Sequence, residues 1–542
     1  MSAPIASPDP PTTPPPRATA SPWAPFRHRA FAVIWTATVV SNVGGWMYNV
    51  ASGWLMTSLD PDPFVVSLVQ VANSLPIFLF AIPAGALVDI VDRRRFLICG
   101  EAAVTITSTA FAALVWLHLI TPNSLLLFSF IVAVGSAITA PAWQAVVAQL
   151  VPKSDLSSAV AANGVGINVS RAVGPALGGV MAGALGIAAP FWLNAFSNIG
   201  VIAALVWWRP PKASGEHLPP EPFGSAVRTG LRHARYNPHL SATLIRAFGF
   251  SVFASAYWAL LPLVARDRIA GGPGLYGMLL GAIGASAVAG AFVLPRLKAR
   301  LDPGRLLTAA TIATSVATAL FALAHDAVTA VAASLLAGAS WIVALSSLNV
   351  SAQVALPEWV RGRGLAMYVT VMFGALTVGS AIWGEIAAIA GLPAALIVAA
   401  AGAIVAIPLS RRWKLQTGAK VDFSPSLHWA APVTTHAIEK DRGPVLVVVE
   451  YRIDLKNREP FLQALGRYGQ ERRRDGAYDW GLFEDPAEEG RFIETFRSDS
   501  WLDHLRQHQR VTEADRILEQ EVRRFQIGPG PKTTHLISAQ IG

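Results

Sequence analysis

Long apolar runs separated by short polar breaks occupy the first 410 residues of the chain. A helix that crosses a bilayer needs about twenty mainly apolar residues, and twelve runs reach that length. The predicted spans are residues 31–58, 64–88, 96–119, 123–148, 157–184, 188–208, 241–265, 274–296, 306–324, 328–354, 363–389 and 392–410. A hydrophilic link, residues 209–240, divides them six plus six. The pattern predicts an all-α membrane protein with two six-helix bundles.

Basic residues in the loops indicate which way these spans run. Ten lie in loops on one side and two on the other, before the link is counted. The ten are Arg93, Arg94, Arg95, Lys153, Arg296, Lys298, Arg300, Arg305, Arg361 and Arg363, and the two are Arg266 and Arg268. Because arginine and lysine favour the cytoplasmic side, we expect a cytoplasmic (inner) membrane protein with both termini in the cytoplasm. Eleven or thirteen spans would destroy this asymmetry.

The two halves are also similar to each other in sequence. At an offset of 354 − 149 = 205 residues, a segment from Gln149 aligns with one from Val354. The matching positions are Pro152 with Pro357, Gly174 with Gly379, Gly179 with Gly384 and Gly186 with Gly391. This offset places the fifth span on the eleventh, as a duplicated six-helix unit requires, and such proteins hold substrate between their halves.

Composition agrees with a membrane protein. The chain is 53% hydrophobic and 14% charged, whereas a soluble domain is about a quarter charged. The net charge of +9 lies at span ends rather than on one face, which argues against a nucleic-acid partner. The single cysteine, Cys99, excludes an intramolecular disulfide. Residues 1–25, rich in proline, alanine, serine and threonine, predict a disordered tail rather than a signal peptide.

The first motif lies between spans two and three. Gly85 to Leu97, GALVDIVDRRRFL, resembles the loop motif GxLaDrxGrkxxL of the major facilitator superfamily. Gly85, Asp89, Arg93 and Arg94 match, with Leu87 and Leu97, whereas Ile90 and Asp92 depart from the pattern. A glycine there permits close helix approach, and Asp89 can pair with a base or cap a helix. The resemblance implies a turn that holds the halves closed on the cytoplasmic side; the alternative is a simple topological anchor.

A second motif lies in span five. Gly174, Pro175, Gly178 and Gly179 resemble the GxxxGPxxGG motif of the superfamily's drug and proton antiporters, with Ser170 in place of the first glycine. Small residues let helices pack backbone to backbone, and a proline removes a helix hydrogen bond. The resemblance implies export and a span at the moving interface, and generic tight packing is the alternative.

Four ionisable residues fall inside the spans: Glu101, Arg171, Arg246 and Glu385. Arg171 is near the middle of span five, where a charge is costly unless it faces the bundle interior or water. We expect it to contact an anionic substrate or pair with a carboxylate during proton coupling; a structural polar pair is the alternative. Glu101 and Arg246 are nearer the cytoplasmic ends and can snorkel, while Glu385 could guard the outer exit.

Span one carries a polar and aromatic stripe. Asn42, Trp46, Asn49 and Gly53 recur at spacings of four, three and four, which places them on one helix face. Such a stripe suits the wall of a cavity for an amphipathic, ring-containing substrate. Asn73, Trp143 and Gln144 could extend that wall. Interfacial anchoring explains most of the 17 tryptophans, but Trp46 is too deep in its span for that.

The end of the chain is soluble in character. We divide the chain into a tail (1–25), a bundle (26–208), a link (209–240), a second bundle (241–412), a linker (413–442) and an α+β domain (443–542). In that last domain, strands near residues 445–453, 477–483, 491–496 and 534–538, with helices at 457–473 and 500–525, predict a ferredoxin-like β-α-β-β-α-β order. It resembles the dimeric α+β barrel domains related to antibiotic-biosynthesis monooxygenases, which implies dimerisation or regulation.

Two histidines are the best chemical candidates in this domain. His504 and His508 share one helix face, but no HExxH pattern or third ligand is evident in the sequence. We therefore expect a solvated basic helix rather than a zinc site, and no cofactor or metal.

The whole chain resembles the branch of the superfamily that includes the enterobactin exporter and related transmembrane secretion effectors. This implies proton-driven export of a siderophore or other bulky, often anionic, product, and no GxxxxGK[ST] phosphate loop points to ATP. The alternatives are a broad multidrug exporter, a membrane-anchored enzyme acting through the α+β domain, and a ligand sensor. The expected partners are a small-molecule substrate, protons, the lipid bilayer and, through the α+β domain, a second copy of the chain.

Overall fold

The structure is a computed structural model that describes most of the 542-residue chain. The described residues are 21, 23–88, 91–152, 154–209, 223–357, 359–416, eight positions between 422 and 439, and 442–539. The predicted disordered tail, residues 1–25, lies almost wholly outside them. Its end is structured, because Ala24–Arg27 form a 3-10 turn in which Ala24 and Pro25 are buried.

Each of the twelve predicted spans coincides with a long helix. The first half contains α1 (Arg29–Leu59), α2 (Pro63–Val88), α3 (Arg93–Trp116), α4 (Pro122–Val147), α5 (Leu156–Ala184) and α6 (Ala189–Trp207). An amphipathic helix that the sequence reading missed, α7 (Phe223–Tyr236), follows in the link. The second half contains α8 (Pro238–Leu263), α9 (Pro273–Lys298), α10 (Pro303–Leu323), α11 (Ala327–Val354), α12 (Arg361–Ala390) and α13 (Leu392–Ser410).

Eleven of the described helices are long and apolar enough to cross a membrane. The one predicted span that is not among these eleven is the fifth, α5. Its sequence is rich in glycine and alanine and contains Arg171. It packs lengthwise between α1 and α9, inside the helical assembly. Its place in the bundle, rather than its composition, therefore identifies it as a crossing.

Aspartates begin the equivalent helices of the two halves. The Asp92 carboxylate accepts a hydrogen bond from the Arg95 N–H at 2.8 Å, at the start of α3. Asp302 accepts one from the Arg305 N–H at 3.0 Å, at the start of α10. An N-cap of this kind satisfies a backbone donor that the helix leaves open, and contributes roughly 1 kcal/mol. This role accounts for an aspartate at position 92, where the family motif has glycine.

The two six-helix halves meet along two lines of contact. On one, α5 packs against α9, and on the other, α2 packs against α12. The internal duplication relates these two contacts to each other. The helices α5 and α12 are the fifth and eleventh spans, which correspond, and α2 and α9 are the second and eighth, which also correspond. The arrangement agrees with the duplication predicted from the 205-residue offset.

The C-terminal domain has the predicted ferredoxin-like fold. Its elements are β1 (Val445–Arg452), α14 (Arg458–Arg474), β2 (Tyr478–Glu484), β3 (Arg491–Ser498), α15 (Trp501–Arg510), α16 (Glu513–Arg523) and β4 (Lys532–Ile537). The antiparallel sheet has the order β2-β3-β1-β4. Alternate residues of β1, including Val447, are buried against helix residues such as Phe461 and Tyr468. The predicted helical region 500–525 is two helices, α15 and α16.

This domain packs against the link and the second half. The Arg232 guanidinium of α7 donates to the Gly476 carbonyl oxygen, and that of Arg473 lies 6.0 Å from the Tyr236 ring centre. The Arg510 guanidinium lies 4.2 Å from the ring centre of Trp359, between α11 and α12. The predicted 209–240 linker therefore contains an ordered docking helix.

Candidate functional site

A cavity of about 520 Å³ lies within the first half. It runs along α1 from Phe31, near the first turn, to Asn49, and reaches Leu150 just beyond α4. These residues lie toward the end of the bundle that carries Arg93. The cavity therefore extends from the predicted cytoplasmic end to the middle of the molecule.

Side-chain amides give this cavity its polarity. The Asn and Gln residues lining it are Asn42, Asn49, Asn73, Gln144, Asn163, Asn194 and Asn198. The Ser41 hydroxyl donates to the Asn198 side-chain oxygen at 2.6 Å, which links α1 to α6. Uncharged amides both donate and accept hydrogen bonds, so the wall can satisfy several kinds of polar substituent.

A second cavity, of about 310 Å³, lies between the two halves. It shares Trp46, Asn49, Asn73 and Ile77 with the first, so the two spaces adjoin. The second half contributes an aromatic wall of Trp258, Tyr276, Trp341 and Phe373. In that wall, the rings of Trp258 and Trp341 meet edge to face with centroids 5.5 Å apart. The pocket is thus apolar on one side and polar on the other.

Arg171 lies in the wall of this second cavity. Its guanidinium is 5.4 Å from the centre of the Trp46 ring, a cation–π distance. Its buried Nε has no hydrogen-bond partner among the described residues, and none of their carboxylates forms an ion pair with it. The expectation that Arg171 faces the bundle interior agrees with this position, and the cation is available to an incoming anion.

The packing of α5 explains how Arg171 is held. A Cβ on Gly174 would lie 2.5 Å from the Trp46 Cβ, and one on Gly178 would lie 2.8 Å from the Met47 Cα. The buried Ser170 hydroxyl, which replaces the first glycine of the motif, donates to the Val39 carbonyl oxygen at 3.1 Å. Thus one face of α5 fits tightly against α1.

An adjoining face of α5 meets the second half. A Cβ on Gly179 would lie 2.6 Å from the Pro273 carbonyl oxygen and 2.8 Å from the Gly277 Cα. Pro175 contributes its carbonyl oxygen to the same contact, 2.6 Å from where a Cβ of Gly277 would be. The glycine motif therefore lies where the two halves touch, as the resemblance implied.

Glu101 has a more central position than its sequence suggested. It lines the first cavity, and its carboxylate accepts a hydrogen bond from the Trp143 indole N–H at 2.9 Å. Sequence reasoning placed it near a helix end, where it could snorkel. It is the one carboxylate among the described residues that line either of these two cavities.

The other two ionisable residues lie away from the cavities. Glu385 is exposed on α12 and lines neither cavity among the described residues. The buried Arg246 guanidinium donates to the Ser410 carbonyl oxygen at 3.2 and 3.3 Å, which joins α8 to the end of α13. Arg246 has a structural partner, whereas nothing brings Glu385 to the substrate space.

The structure describes only part of the loop motif. Asp89 lies outside the described residues, and no described atom comes within 4 Å of a Cβ built on Gly85. The expected close helix approach at Gly85 is thus not seen. The Arg94 guanidinium donates to the Leu205 and Val206 carbonyl oxygens at 2.8 and 2.6 Å, within the first half, and Arg93 is half-buried.

The prediction of a solvated basic helix around His504 and His508 is wrong for His504. Its side chain is buried and its ring lies 4.8 Å, centre to centre, from that of His508. Burial lowers the pKa of the His504 imidazole to about 3, and His508 and His535 act in the same direction. His535 could not be recognised from the sequence, because only the pairing of its strand with Val447 and its neighbours brings it to this helix.

Sequence comparison finds a family match over most of the chain. Residues 20–541 match the model of a family described as transmembrane secretion effector. The staphyloferrin A transporter of Staphylococcus aureus is 22% identical over 47% of this chain and 64% of its own length. The multidrug efflux pump Tap of Mycolicibacterium fortuitum is 22% identical over 67% of this chain and 90% of its own length. The matched region covers only 53–64% of the length of three of the curated relatives, and the staphyloferrin A transporter is one of these three.

Structural comparison supports the fold. A crystal structure of a POT family transporter, in complex with a thioalcohol-conjugated peptide, superposes with a TM-score of 0.60 at 12% identity. The match covers 70% of this chain and 95% of the other. At that identity the likeness concerns the helical architecture.

Proposed function

The chain belongs to the transmembrane secretion effector family, a group of major-facilitator-type membrane transporters, and we propose that it exports a small amphipathic anion in exchange for protons. It works by alternating access, with both termini and the C-terminal domain in the cytoplasm. The substrate class is a siderophore or a similar secondary metabolite. One observation carries the proposal: an arginine that has no carboxylate partner among the described residues, with its guanidinium 5.4 Å from the Trp46 ring, in a cavity that both halves line.

The chemistry of that cavity favours an amphipathic anion. The Arg171 guanidinium can bind a carboxylate or an enolate-like oxygen through a charge-assisted hydrogen bond. Opposite it, Trp258, Trp341 and Phe373 offer apolar faces for a ring or a chain. A molecule with one charged end and one apolar end would contact both walls. The staphyloferrin A transporter, a relative of this chain, is named for a siderophore.

The contacts between the halves support the exporter cycle. The glycine contacts between described residues of the two bundles, such as Gly53 with Tyr276 and Gly179 with Gly277, fall between the middle and the predicted outer end. The larger cavity reaches the opposite end. This combination is what a transporter loading from the cytoplasm requires, with the outer side closed and the inner side accessible.

Glu101 is the group that supports proton exchange. Its carboxylate lines the loading cavity and accepts one hydrogen bond, from Trp143. A carboxylate in such a place can bind a proton when the substrate leaves and release it when the next substrate enters. Substrate binding by Arg171 and proton binding by Glu101 are then separate functions on separate helices.

Proteoliposomes with an imposed pH gradient test the proposal, with staphyloferrin A as the anionic probe and ethidium as the cationic one. We expect the wild type to move the anion in the direction opposite to the proton flow, driven by the imposed pH gradient. Arg171→Ala should lower that flux at least about tenfold, because a hydrogen bond to a charged group contributes roughly 1.5–3 kcal/mol. Arg171→Lys should retain part of it.

The control is Arg305→Ala, which removes an exposed arginine at the start of α10 and should leave flux unchanged. Glu101→Gln should abolish the response to the pH gradient while substrate exchange across the membrane continues. Undiminished anion flux by Arg171→Ala would remove that residue from the mechanism. Transport of ethidium but not of the anion by the wild type would favour the second candidate, a multidrug pump, which the aromatic wall also suits.

A further inference from the structure

Three histidines of the C-terminal domain converge on one point. His504 and His508 lie one turn apart on α15, and His535 lies on β4. The Nε2 atoms of His504 and His508 are 3.3 Å apart. One ring nitrogen from each of the three residues lies within 4.8 Å of the other two. Strand pairing thus supplies the third ligand that the sequence of α15 lacks.

The fold fixes these three side chains in place. Residues four apart on a helix project from the same face, so α15 presents both of its imidazoles together. On β4, His535 pairs directly with Val447 of β1. Directly opposed residues in a sheet lie on the same face, and Val447 is buried under the helices. His535 therefore points toward the helical layer that contains α15.

The distances suit a metal ion coordinated by imidazole. Zinc–nitrogen bonds of about 2.0–2.1 Å at tetrahedral angles place two ligand nitrogens roughly 3.3–3.4 Å apart. The His504–His508 pair already has that separation. The remaining spacing, up to 4.8 Å, is closed by a ring rotation of one side chain. Three protein ligands with one further position are the usual set of an accessible zinc site.

The surroundings bury part of this cluster. The His504 side chain is 1% exposed. Its buried Nδ1 has no hydrogen-bond partner among the described residues. The Trp429 ring lies 5.2 Å from the His508 ring, and the Trp501 ring 5.6 Å from the His504 ring. These indoles flank the cluster.

One nearby charge opposes a bound cation. The Arg472 guanidinium contributes to lowering the pKa of His504. It lies 3.5 Å from the Glu494 carboxylate and is sandwiched among aromatic rings, including Tyr468 at 4.5 Å. Because Glu494 balances that charge, Arg472 reduces the affinity of the site without excluding a dication.

We propose that His504, His508 and His535 form a binding site for one divalent transition-metal ion in the C-terminal domain. An all-imidazole ligand set suits zinc, copper, nickel or iron and not calcium or magnesium, and zinc is the ion to which we commit. The bound ion joins α15 to the edge strand β4. It thereby stabilises the end of the domain whose Arg510 reaches Trp359 of the membrane region.

Zinc titration of the full-length protein tests this site. The protein is purified in detergent without a polyhistidine tag, stripped with a chelator and titrated with zinc chloride against a fluorescent zinc indicator. We expect one zinc per chain. His508→Gln and His535→Gln should each weaken binding at least about tenfold, since each removes one of three ligands.

The matched control is His325→Gln, an exposed histidine between α10 and α11 that bonds Arg268, and it should bind zinc as the wild type does. X-ray absorption at the zinc edge of the wild type gives a second measurement that needs no variant, with three imidazole nitrogens expected at about 2.0–2.1 Å. Zinc uptake unaffected by both cluster variants, or a spectrum without imidazole ligands, would overturn the proposal.

Discussion

The two lines of contact between the halves are related by the internal duplication, yet they are built differently. Where α5 meets α9, Gly179 and Gly277 bring backbone against backbone. Where α2 meets α12, Gly384 faces the Ser67 side chain and Gly374 faces the Phe78 ring. There the Ser74 and Thr377 hydroxyls also form a hydrogen bond of 2.8 Å. The α5/α9 contact is thus packed backbone against backbone, whereas the α2/α12 contact is packed through side chains.

The backbone-packed contact is the one that continues to Arg171, in the wall of the cavity that we propose as the substrate site. A Cβ on Gly284 of α9 would lie 2.5 Å from the Arg171 carbonyl oxygen, so the α5/α9 contact continues to the residue that we expect to bind the anion. The α2/α12 contact has no such charged residue beside it among the cavity-lining residues. A change in how the halves meet is therefore transmitted to Arg171 more directly than to any group on the other side.

The largest effect is expected from Gly179→Ala. The new methyl group would meet the backbone of Pro273 and Gly277, which cannot move aside without separating α5 from α9. Overpacking of this kind costs roughly 1–3 kcal/mol, so we expect a lower melting temperature and loss of most transport. Gly183→Ala on the same helix is the control, since its nearest contact would be the Pro273 Cγ at 3.9 Å. Equal melting temperatures for the two variants would contradict a backbone contact at Gly179.

A smaller effect is expected from Gly384→Ala at the equivalent position of the other contact. Its methyl group would meet Ser67, whose Cβ would lie 2.5 Å away, and the Phe64 Cα at 3.3 Å. Because a serine side chain can be removed, Ser67→Gly should partly restore the melting temperature of Gly384→Ala, after an allowance of about 1 kcal/mol for a helical glycine. The absence of any rescue would mean that backbone packing governs both contacts alike.

The smallest effect is expected from the hydroxyl pair. A double-mutant cycle with Ser74→Ala and Thr377→Val should give a coupling energy of about 0.6 kcal/mol, a typical value for hydrogen bonds between membrane helices. Reversible unfolding in mixed detergent measures it. A coupling energy above about 2 kcal/mol would mean that the α2/α12 contact stabilises the pair of halves more than expected, and would contradict the ranking in which the hydroxyl pair has the smallest effect.

Sequence patterns that are local to one element predicted the structure well. The twelve apolar runs, the stripe of Asn42, Trp46 and Asn49, and the strand order of the C-terminal domain each depend on spacing within a segment. The helix α7 was missed because a short, basic sequence resembles a polar link.

Features that depend on distant packing could not be predicted. His535 is 535 − 508 = 27 residues beyond His508, and the β1–β4 register alone brings it to α15. The position of Glu101 within its span suggested a helix end, but Trp143 of α4 gives it a partner inside the cavity. In the sequence, Trp258 and Trp341 look like many other apolar residues within spans. Only the packing of the two halves shows that they line the same cavity as Arg171.

The docking of the C-terminal domain has a mechanical consequence. Through α7 it holds the end of the link, where Gly230 also lies against the Arg363 side chain of α12, and through Arg510 it rests on Trp359. The second half and the C-terminal domain therefore form one packed unit. In the cycle that we propose, a change in how the two halves meet would move the first half against this larger unit rather than against six helices alone.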